Sequence, residues 1–404
     1  MGPVMATEVT LSAATRQNLL SLQDTAALTG TTQNRLSTGK KVSSALDNPV
    51  NFFTAQSFNS RSGDLGALLD SISNGIQTIQ AANQGITSIQ KLIDSAKSTA
   101  NQALSTQITT TGTATNDFAA STTTATTVNF YVNGVSKSAT IASNATIDAA
   151  ITALNSAAGT NVTMFSKDTT GKKIVLNASS AVEFKATGDQ AAIGFAQGTT
   201  STAAKYGTSN DTISAGSDLT VSGVDARKKL SEQYNSLLIQ ITQLAKDSSF
   251  NGVNLISNGD PSNKLHIAFN ERDTANLDVQ GQDLTADGLK LTPITGNSGS
   301  SVNGQGSFLL DTDIKGTLSG LTKASDTLRT ASSTFGSNLS VVQNRQDFTK
   351  RIVNILDTGA ANLTNADLNE EAANSQALST RQSLGISALS LANQAQQGIL
   401  QLLR

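Results

Sequence analysis

Leu65, Ile72, Ile79, Ile86, Ile93 and Ala100 stand seven residues apart along one stretch of the chain. Leu68, Ala82, Ile89 and Ala96 widen the same face, and Leu69 and Ile76 begin a second seam. An apolar residue every seven positions, with a companion three or four residues on, puts one stripe along a helix and commits that stripe to partner helices. The competing reading is a single amphipathic helix lying on a globular core. At about 40 residues the segment is long for that role, so the spacing predicts a coiled coil or bundle.

Composition narrows what surrounds this helix. The chain has 404 residues, room for roughly two to four domains. Charged residues make up 14%, against about 25% in a typical globular chain, and hydrophobic residues 37%. Ser, Thr, Asn and Gln must therefore cover much of the surface. Such a surface suits packing against copies of itself, because few charges need desolvating. A net charge of −2 carries no nucleic-acid footprint. The sequence has no apolar run of about 18 residues that would span a membrane. It has no cysteine, which excludes disulfides, thiolate zinc sites and thiol catalysis. With His266 the single histidine, a two- or three-histidine metal centre is excluded by count.

Along the chain the texture changes several times. Residues 1–46 form a polar helix with a thin stripe at Val9, Leu11, Ala14, Leu19, Leu22 and Ala26. Met5-Ala6-Thr7-Glu8 offers a second start, which would make residues 1–4 a leader. An elbow follows, RLSTGKKVSSALDNPVNFF, where Gly39 can end one helix and Asn48-Pro49 disfavours helix at 48. Residues 47–106 carry the heptad helix. Residues 107–219 read as an inserted, Ser/Thr-rich α+β domain. Within it 107–127 is linker, strands fall at 128–132, 161–166, 173–177 and 182–186, and a short helix at 147–154. Residues 220–291 combine a helix at 225–247 with two strands, LHIAFNE and ANLDVQ. Residues 292–311 are a Gly/Ser-rich loop. Helix then returns, as a core helix over 312–358 and an inner helix over 359–404, with Phe348, Ile352, Ile355, Leu356 and Leu363 as its apolar positions. No proline follows Pro293, so one uninterrupted helical run is expected. The expected class is mainly α: long N- and C-terminal heptad helices in a coiled-coil or helical-bundle core, a β-hairpin region, and the inserted α+β domain.

Six motifs in order give the chain a family likeness: RLSTGKKVSSALDNPVNFFTA at 35–55, SISNGIQTIQAANQGI at 71–86, SSFNGVNLI at 248–256, VVQNRQDFTK at 341–350, ADLNEEAAN at 366–374 and STRQSLGISALSLANQ at 379–394. With them the chain resembles bacterial flagellin, the filament subunit, and more closely the alphaproteobacterial type. The resemblance implies a structural protein that polymerises into a helical tube and transmits torque. It also implies export as an unfolded chain through the flagellar type III pathway, an extracellular location, and hook-associated, cap and chaperone partners. The elbow becomes a spoke between inner and outer helical layers, carried by Arg35, Lys40, Lys41, Asp47 and Pro49. The terminal helices become an antiparallel pair at the inner wall, too polar to hold a fold before assembly. Leu65, Ile72, Ile79, Ile86, Ile93, Leu384, Leu389, Leu391, Ile399 and Leu403 become the helical seam of subunit assembly.

Two departures from the family pattern stand out. Extra material at 107–219 interrupts the core before the helix at 225–247 and looks like the outward-facing ββα insert of some flagellins and hook-associated proteins. The segment IQKLIDS, residues 89–95, occupies the place of the LQRVREL motif that a host Toll-like receptor reads in enteric flagellins. Lys91 keeps a positive charge, but Ile93 replaces an arginine and Ser95 a leucine, so weak receptor activation is expected.

No chemistry competes with this reading. His266 lies in an alternating strand without a nucleophile motif or a second histidine. Glu370 and Glu371 are adjacent on a helix and point apart, so they read as a solvated or intersubunit face. The segment DVQGQDLTADG lacks the spacing of an EF-hand loop. Sequons at Asn144, Asn161, Asn177, Asn338 and Asn362 are explained by chance in Ser/Thr-rich sequence. No enzyme activity, metal or cofactor is expected. The rival readings are a hook-filament junction protein, a flagellin-like cell-surface adhesin or receptor, and a flagellin with a zinc-protease insert, the last disfavoured by the lack of an HExxH motif.

Overall fold

A computed structural model describes residues 13–185, 187–196, 218–294 and 308–402. Helix α1 spans Ala13–Thr38 and α2 Pro49–Ser105. The inserted region then runs β1 (Thr109–Thr113), β2 (Thr126–Val132), β3 (Val135–Ile141), α3 (Ile147–Ala158), β4 (Phe165–Lys167), β5 (Ile174–Ala178), β6 (Val182–Phe184), α4 (Thr187–Ala191) and β7 (Leu219–Ser222). Helix α5 (Val224–Asp247), the strands β8 (Lys264–Ala268) and β9 (Asn276–Gln280), then α6 (Asp311–Thr364) and α7 (Leu368–Leu402) complete the order. Two compact units result. One draws on 1–72, 268–275 and 344–404, the other on 73–267 and 276–343.

The heptad stripe of α2 is buried along its length: Leu65, Ile72, Ile79, Ile86, Ile93 and Ala100 together with Ala82, Ile89 and Ala96. Its partner α6 carries the same spacing, burying Ile314, Leu321, Leu328, Phe335, Val342, Thr349 and Leu356 at every seventh position. The two helices run antiparallel. In the larger unit Gln90 bonds Ser325 and Ser332 bonds Asn83. In the other Ser62 donates to Asp357 at 2.6 Å. On α5, Leu230, Tyr234, Leu238, Ile241 and Ala245 are buried at the same three-and-four spacing, and the Tyr234 ring lies 5.7 Å from that of Phe308. The α6 seam corrects the expectation for that helix: Phe348 and Ile355 point to solvent, while Thr349 and Leu356 beside them face inward.

Many helical hydroxyls bond a carbonyl four residues back. Examples are Thr78 to Asn74, Thr99 to Ser95, Thr317 to Asp313 and Thr364 to Ala360. Back-bonding satisfies the hydroxyl inside its own helix, so a buried threonine presents its methyl group to the core. That is how helices so rich in Ser and Thr still pack.

Two expected boundaries move. The stretch 107–127 is not all linker: β1 lies inside it, pairing antiparallel with β5 on one side and β7 on the other. Its threonines are β-branched and suit a pleated surface, a preference that low-complexity composition hides. The insert accordingly ends in β7, past residue 219. The strand expected at 161–166 shrinks to β4, because Asn161 adopts φ 60° in a turn. The insert has two sheets, β4-β5-β1-β7 and β3-β2-β6, around its own core of Phe130, Leu154, Phe165, Ile174, Leu176, Phe184 and Phe195. Buried Arg227 in the first turn of α5 binds the root of the insert. Its guanidinium donates to the Thr106, Phe308 and Leu309 carbonyls and pairs with Asp311 at 2.9 Å, joining the starts of α5 and α6 to the end of α2.

The second moved boundary is the C-terminal one. The helical run breaks at residues 365–367, between α6 and α7, and not at 358/359. No proline causes the break. The elbow does: Lys41 and Val42 donate backbone N–H groups to the Thr364 carbonyl, Ala366 donates to Gly39, and Lys40 bridges Asn365. The Asp367 carboxylate then accepts from the Asn369 N–H and caps α7.

Two glycines of α2 stand in opposite surroundings. At Gly85 a Cβ would lie 2.7 Å from the Ser248 Cβ and the Ile256 Cδ1, whereas at Gly66 nothing stands within 4 Å. Gly85→Ala should destabilise the protein by about 1–3 kcal/mol through overpacking. Gly66→Ala should stabilise it by about 0.5–1 kcal/mol through helix propensity. Opposite signs in denaturant unfolding are the expected outcome, and equal signs would contradict this packing.

Candidate assembly surface

Helices α1 and α7 pack on one another with heptad spacing but with the usual chemistry inverted. The positions of α1 turned toward α7 are Thr15, Asn18, Leu22, Thr25, Thr29 and Thr32, of which Thr15, Thr25 and Thr32 are buried. On α7 the shielded stripe is Glu371, Ser375, Leu378, Gln382, Gly385, Leu389 and Ala392. The pair is antiparallel. Gly385 faces Leu22, whose Cδ2 would lie 2.8 Å from an added Cβ, and Arg35 reaches Glu371 at 3.0 Å. Thr25 and Thr29 bond their own i−4 carbonyls, as do Thr380, Ser383 and Ser387.

Other large apolar side chains of the pair lie on the outside. Leu19, Leu20 and Leu28 of α1 are exposed, and so are Leu384, Ile386 and Leu391 of α7, with Leu384 66% and Leu391 68% accessible. Leu46 (96% accessible), Val50 and Phe53 stand out at the elbow, and Phe348 and Ile355 on α6. Among the described residues, all the exposed large hydrophobics except Val135, Ile239 and Val341 belong to the unit that holds α1 and α7. Exposed apolar residues scattered singly are ordinary, but concentration in one unit marks an interaction surface.

This arrangement divides the expected assembly residues. Leu65, Ile72, Ile79, Ile86 and Ile93 are at most 5% accessible, so their seam closes within one chain and not between copies. A heptad stripe cannot say whether its partner helix is its own chain's or a neighbour's; here α6 supplies it. Leu384 and Leu391 are open to a partner, and Leu389 is half-buried on the α1 side. The backbone of Ile399 is helical, and Leu403 lies outside the described residues. The α1 stripe read from apolar residues is likewise corrected: of its described side chains Leu22 packs inward, whereas Leu19 and Ala26 face solvent, and residues 9 and 11 lie outside the described region. Sequence reasoning missed the threonine seam because a search for apolar periodicity does not count threonine. The signal was the spacing of Thr15, Leu22 and Thr29 against Asn18, Thr25 and Thr32.

At the elbow, Gly39 takes φ 67° and ends α1, its N–H bonding the Arg35 carbonyl at 2.8 Å. Pro49 opens α2, where its missing N–H costs nothing, and the Asn48 side chain accepts from the Asn51 N–H. Between them one oxygen of Asp47 accepts from the backbone N–H groups and hydroxyls of both Ser43 and Ser44. Lys41 Nζ donates to the Asn362 carbonyl, and Lys40 is exposed. Glu371, expected on a solvated or intersubunit face, is instead buried against Arg35, while Glu370 is exposed. The elbow is thus held by its own chain.

His266 and Lys264 of β8 both contact Asp278 of β9 on an exposed face. Among the described residues no group of three or more His, Cys, Asp or Glu could hold a metal ion, and no helix is long and apolar enough to cross a membrane. In the segment matching the innate-receptor motif, Lys91 and Ser95 are exposed, but Ile93 is fully buried in the α2 seam.

Hydrogen bonds from the Ser44 and Ser43 backbone hold the Asp47 carboxyl below the usual Asp range. A depressed folded-state value means the contribution is present above the unfolded Asp value of about 3.9 and is lost as pH falls through the folded one. The unfolding free energy measured along an acid series should therefore fall more steeply for the wild type than for Asp47→Asn. Parallel curves would show that the elbow knot does not contribute.

Comparison with known proteins agrees with this geometry. Residues 9–134 match the family model of the bacterial flagellin N-terminal helical region, and residues 318–403 that of the bacterial flagellin C-terminal helical region. Flagellin FljM of Caulobacter vibrioides is 33% identical over 175 residues, 43% of this chain and 59% of that protein. Flagellin FljO of the same organism is 31% identical over 175 residues, with the same 43% and 59% coverage. Flagellin C of Rhizobium meliloti is 27% identical over 219 residues, 45% of this chain and 68% of that one. The chain thus spans about 59% of the length of the Caulobacter relatives it matches.

Proposed function

The chain belongs to the bacterial flagellins, and from that premise we propose that it is a structural subunit which polymerises into the flagellar filament, an extracellular helical propeller. The observation that carries the reading is the inverted terminal pair, with its polar seam inside and Leu19, Leu20, Leu28, Leu384, Ile386 and Leu391 outside. An open filament needs heterologous contacts, in which one patch of a subunit meets a different patch of the next. The exposed apolar residues of α1, α7, the elbow and α6 supply several such patches on one unit. The thin apolar content of the α1–α7 seam favours ordering on assembly, when outward burial adds the stabilisation that the isolated pair lacks.

The same reading places the β1–β7 module, with its own core, as the outward domain. It implies export as an unfolded chain, with a chaperone before assembly and hook-associated and cap proteins at the filament ends. The role is assembly and not catalysis.

Replacing Leu384, Ile386 and Leu391 together by Ser should leave denaturant unfolding nearly unchanged, since the three side chains are exposed, yet abolish sedimentable polymer. Ile79→Ala should do the reverse first, costing about 2–5 kcal/mol of stability by opening a cavity in the seam. Wild-type polymerisation by the triple variant would overturn the proposed surface.

Recognition by the host receptor should be weak. Ile93 is spent on the core, and the exposed positions offer Lys91, Asp94 and Ser95. Reporter cells carrying the Toll-like flagellin receptor should respond less to this protein than to an enteric flagellin at equal concentration. Equal potency would contradict the assignment.

A further inference from the structure

Four Asn-Gly steps fall within the described residues, at Asn74, Asn133, Asn251 and Asn258. The step is chemically special, because a following glycine leaves its backbone nitrogen open to attack by the asparagine side chain. What the backbone and side chain are bound to then decides whether the attack can happen, and the four sites differ sharply.

Asn133 and Asn251 share a backbone. Both take left-handed φ, 50° and 49°, and are followed by Gly134 and Gly252 at φ 78° and 79°. Around Asn133 everything is tied. Its carboxamide oxygen accepts from the Ala181 N–H at 3.1 Å and its own N–H donates to the Ala181 carbonyl at 2.9 Å. Gly134 is packed against Leu310, and the turn caps a β2–β3 ladder paired from Thr126↔Ile141 to Val132↔Val135. Around Asn251 almost nothing is. Asn251 and Gly252 are exposed, and the Asn251 side chain makes no hydrogen bond among the described residues. A Cβ at Gly252 would meet nothing within 4 Å, and the turn is closed by the lone Phe250↔Val253 bridge. Asn258 is intermediate: its side chain accepts from the Asp260 N–H at 3.3 Å. Asn74 lies inside α2, where the helix fixes the backbone and Gly75 packs on Ile267.

We propose that Asn251 is a deamidation site of the folded protein. The Gly252 amide nitrogen attacks the Asn251 Cγ. A C–N bond forms and the bond from Cγ to the side-chain nitrogen breaks. Ammonia leaves, taking the amide proton, and a succinimide remains. Water then opens the ring at either carbonyl, giving aspartate or isoaspartate. The net change is the gain of one water and the loss of one ammonia, with no oxidation or reduction. The ring requires the turn to open locally, and a segment held by one bridge opens far more often than a seven-pair ladder. The product carries a new negative charge on an exposed turn, and as isoaspartate it also lengthens the backbone by one methylene. Because the change is irreversible, the fraction converted records the age of a subunit.

The test is incubation of the purified full chain in mildly alkaline buffer, native and in denaturant, with peptide mass spectrometry and isoaspartate detection at each step. In the native chain Asn251 should convert about tenfold or more faster than Asn133 and Asn74, with Asn258 between. In denaturant the four rates should draw together, because the difference lies in the fold. Native conversion at Asn133 as fast as at Asn251, no conversion at Asn251, or a ranking that persists unchanged in denaturant would each overturn the proposal.

Discussion

The heptad seam of α2 closes on its own chain, and the rest of the structure is arranged around that closure. Ile72, Ile79, Ile86 and Ile93 are fully enclosed, and removing side chains of that size from water is the strongest stabilising term available to so uncharged a chain. Helices α6 and α5 bury the same three-and-four spacing in turn. Where a side chain would obstruct, the sequence has Gly75 against Ile267 and Gly85 against Ile256, so the segment after α5 lies close on α2. A sheet-bearing module can interrupt this core because its root is secured by polar means: Arg227, just past the end of the insert, satisfies the Thr106 carbonyl before it and the Leu309 carbonyl at the start of α6, while paired with Asp311.

The terminal pair uses the same periodicity for another purpose. In α2 and α6 the stripe is aliphatic and faces inward. In α1 and α7 the inward stripe is mostly Thr, Asn, Ser, Gln and Gly with Leu22, Leu378 and Leu389 among them, while Leu19, Leu20, Leu28, Leu384, Ile386 and Leu391 turn out. Back-bonded threonines can line such an interface without leaving a hydroxyl unsatisfied, but they bury little apolar area. A pair built this way is weak alone and attractive to a neighbour. The elbow connects the two regimes, and its backbone bonds to 364–366 tie the two chain ends into one unit.

The inserted module follows different rules. Its core is aromatic, with Phe130 and Phe165 edge to face at 5.8 Å and Phe184 and Phe195 beside them, whereas the described seam positions of α2 carry no aromatic ring. Strand β1 joins β5 to β7 and so draws the two ends of the insert together. An insert whose ends are hydrogen-bonded neighbours can be accommodated between helices without separating them.

Sequence alone determined the helix-forming stripes, the elbow and the exclusion of cysteine-based and multi-histidine sites. Each rests on local facts: a seven-residue repeat in α2, a glycine and an Asn-Pro pair at the elbow, a single histidine and no cysteine. Tertiary structure alone decided which partner each stripe has. Ile79 and Leu384 both sit at helical spacing in apolar patterns, yet one is sealed within the chain and the other lies open. The break at 365–367 was equally invisible locally, because it is made by residues more than three hundred positions away through backbone bonds that no side-chain pattern encodes. Strand β1 was hidden for a related reason: a run of threonines becomes a strand only when β5 and β7 offer it hydrogen bonds on both edges. Periodicity is a property of a segment, whereas burial is a property of the pair it joins.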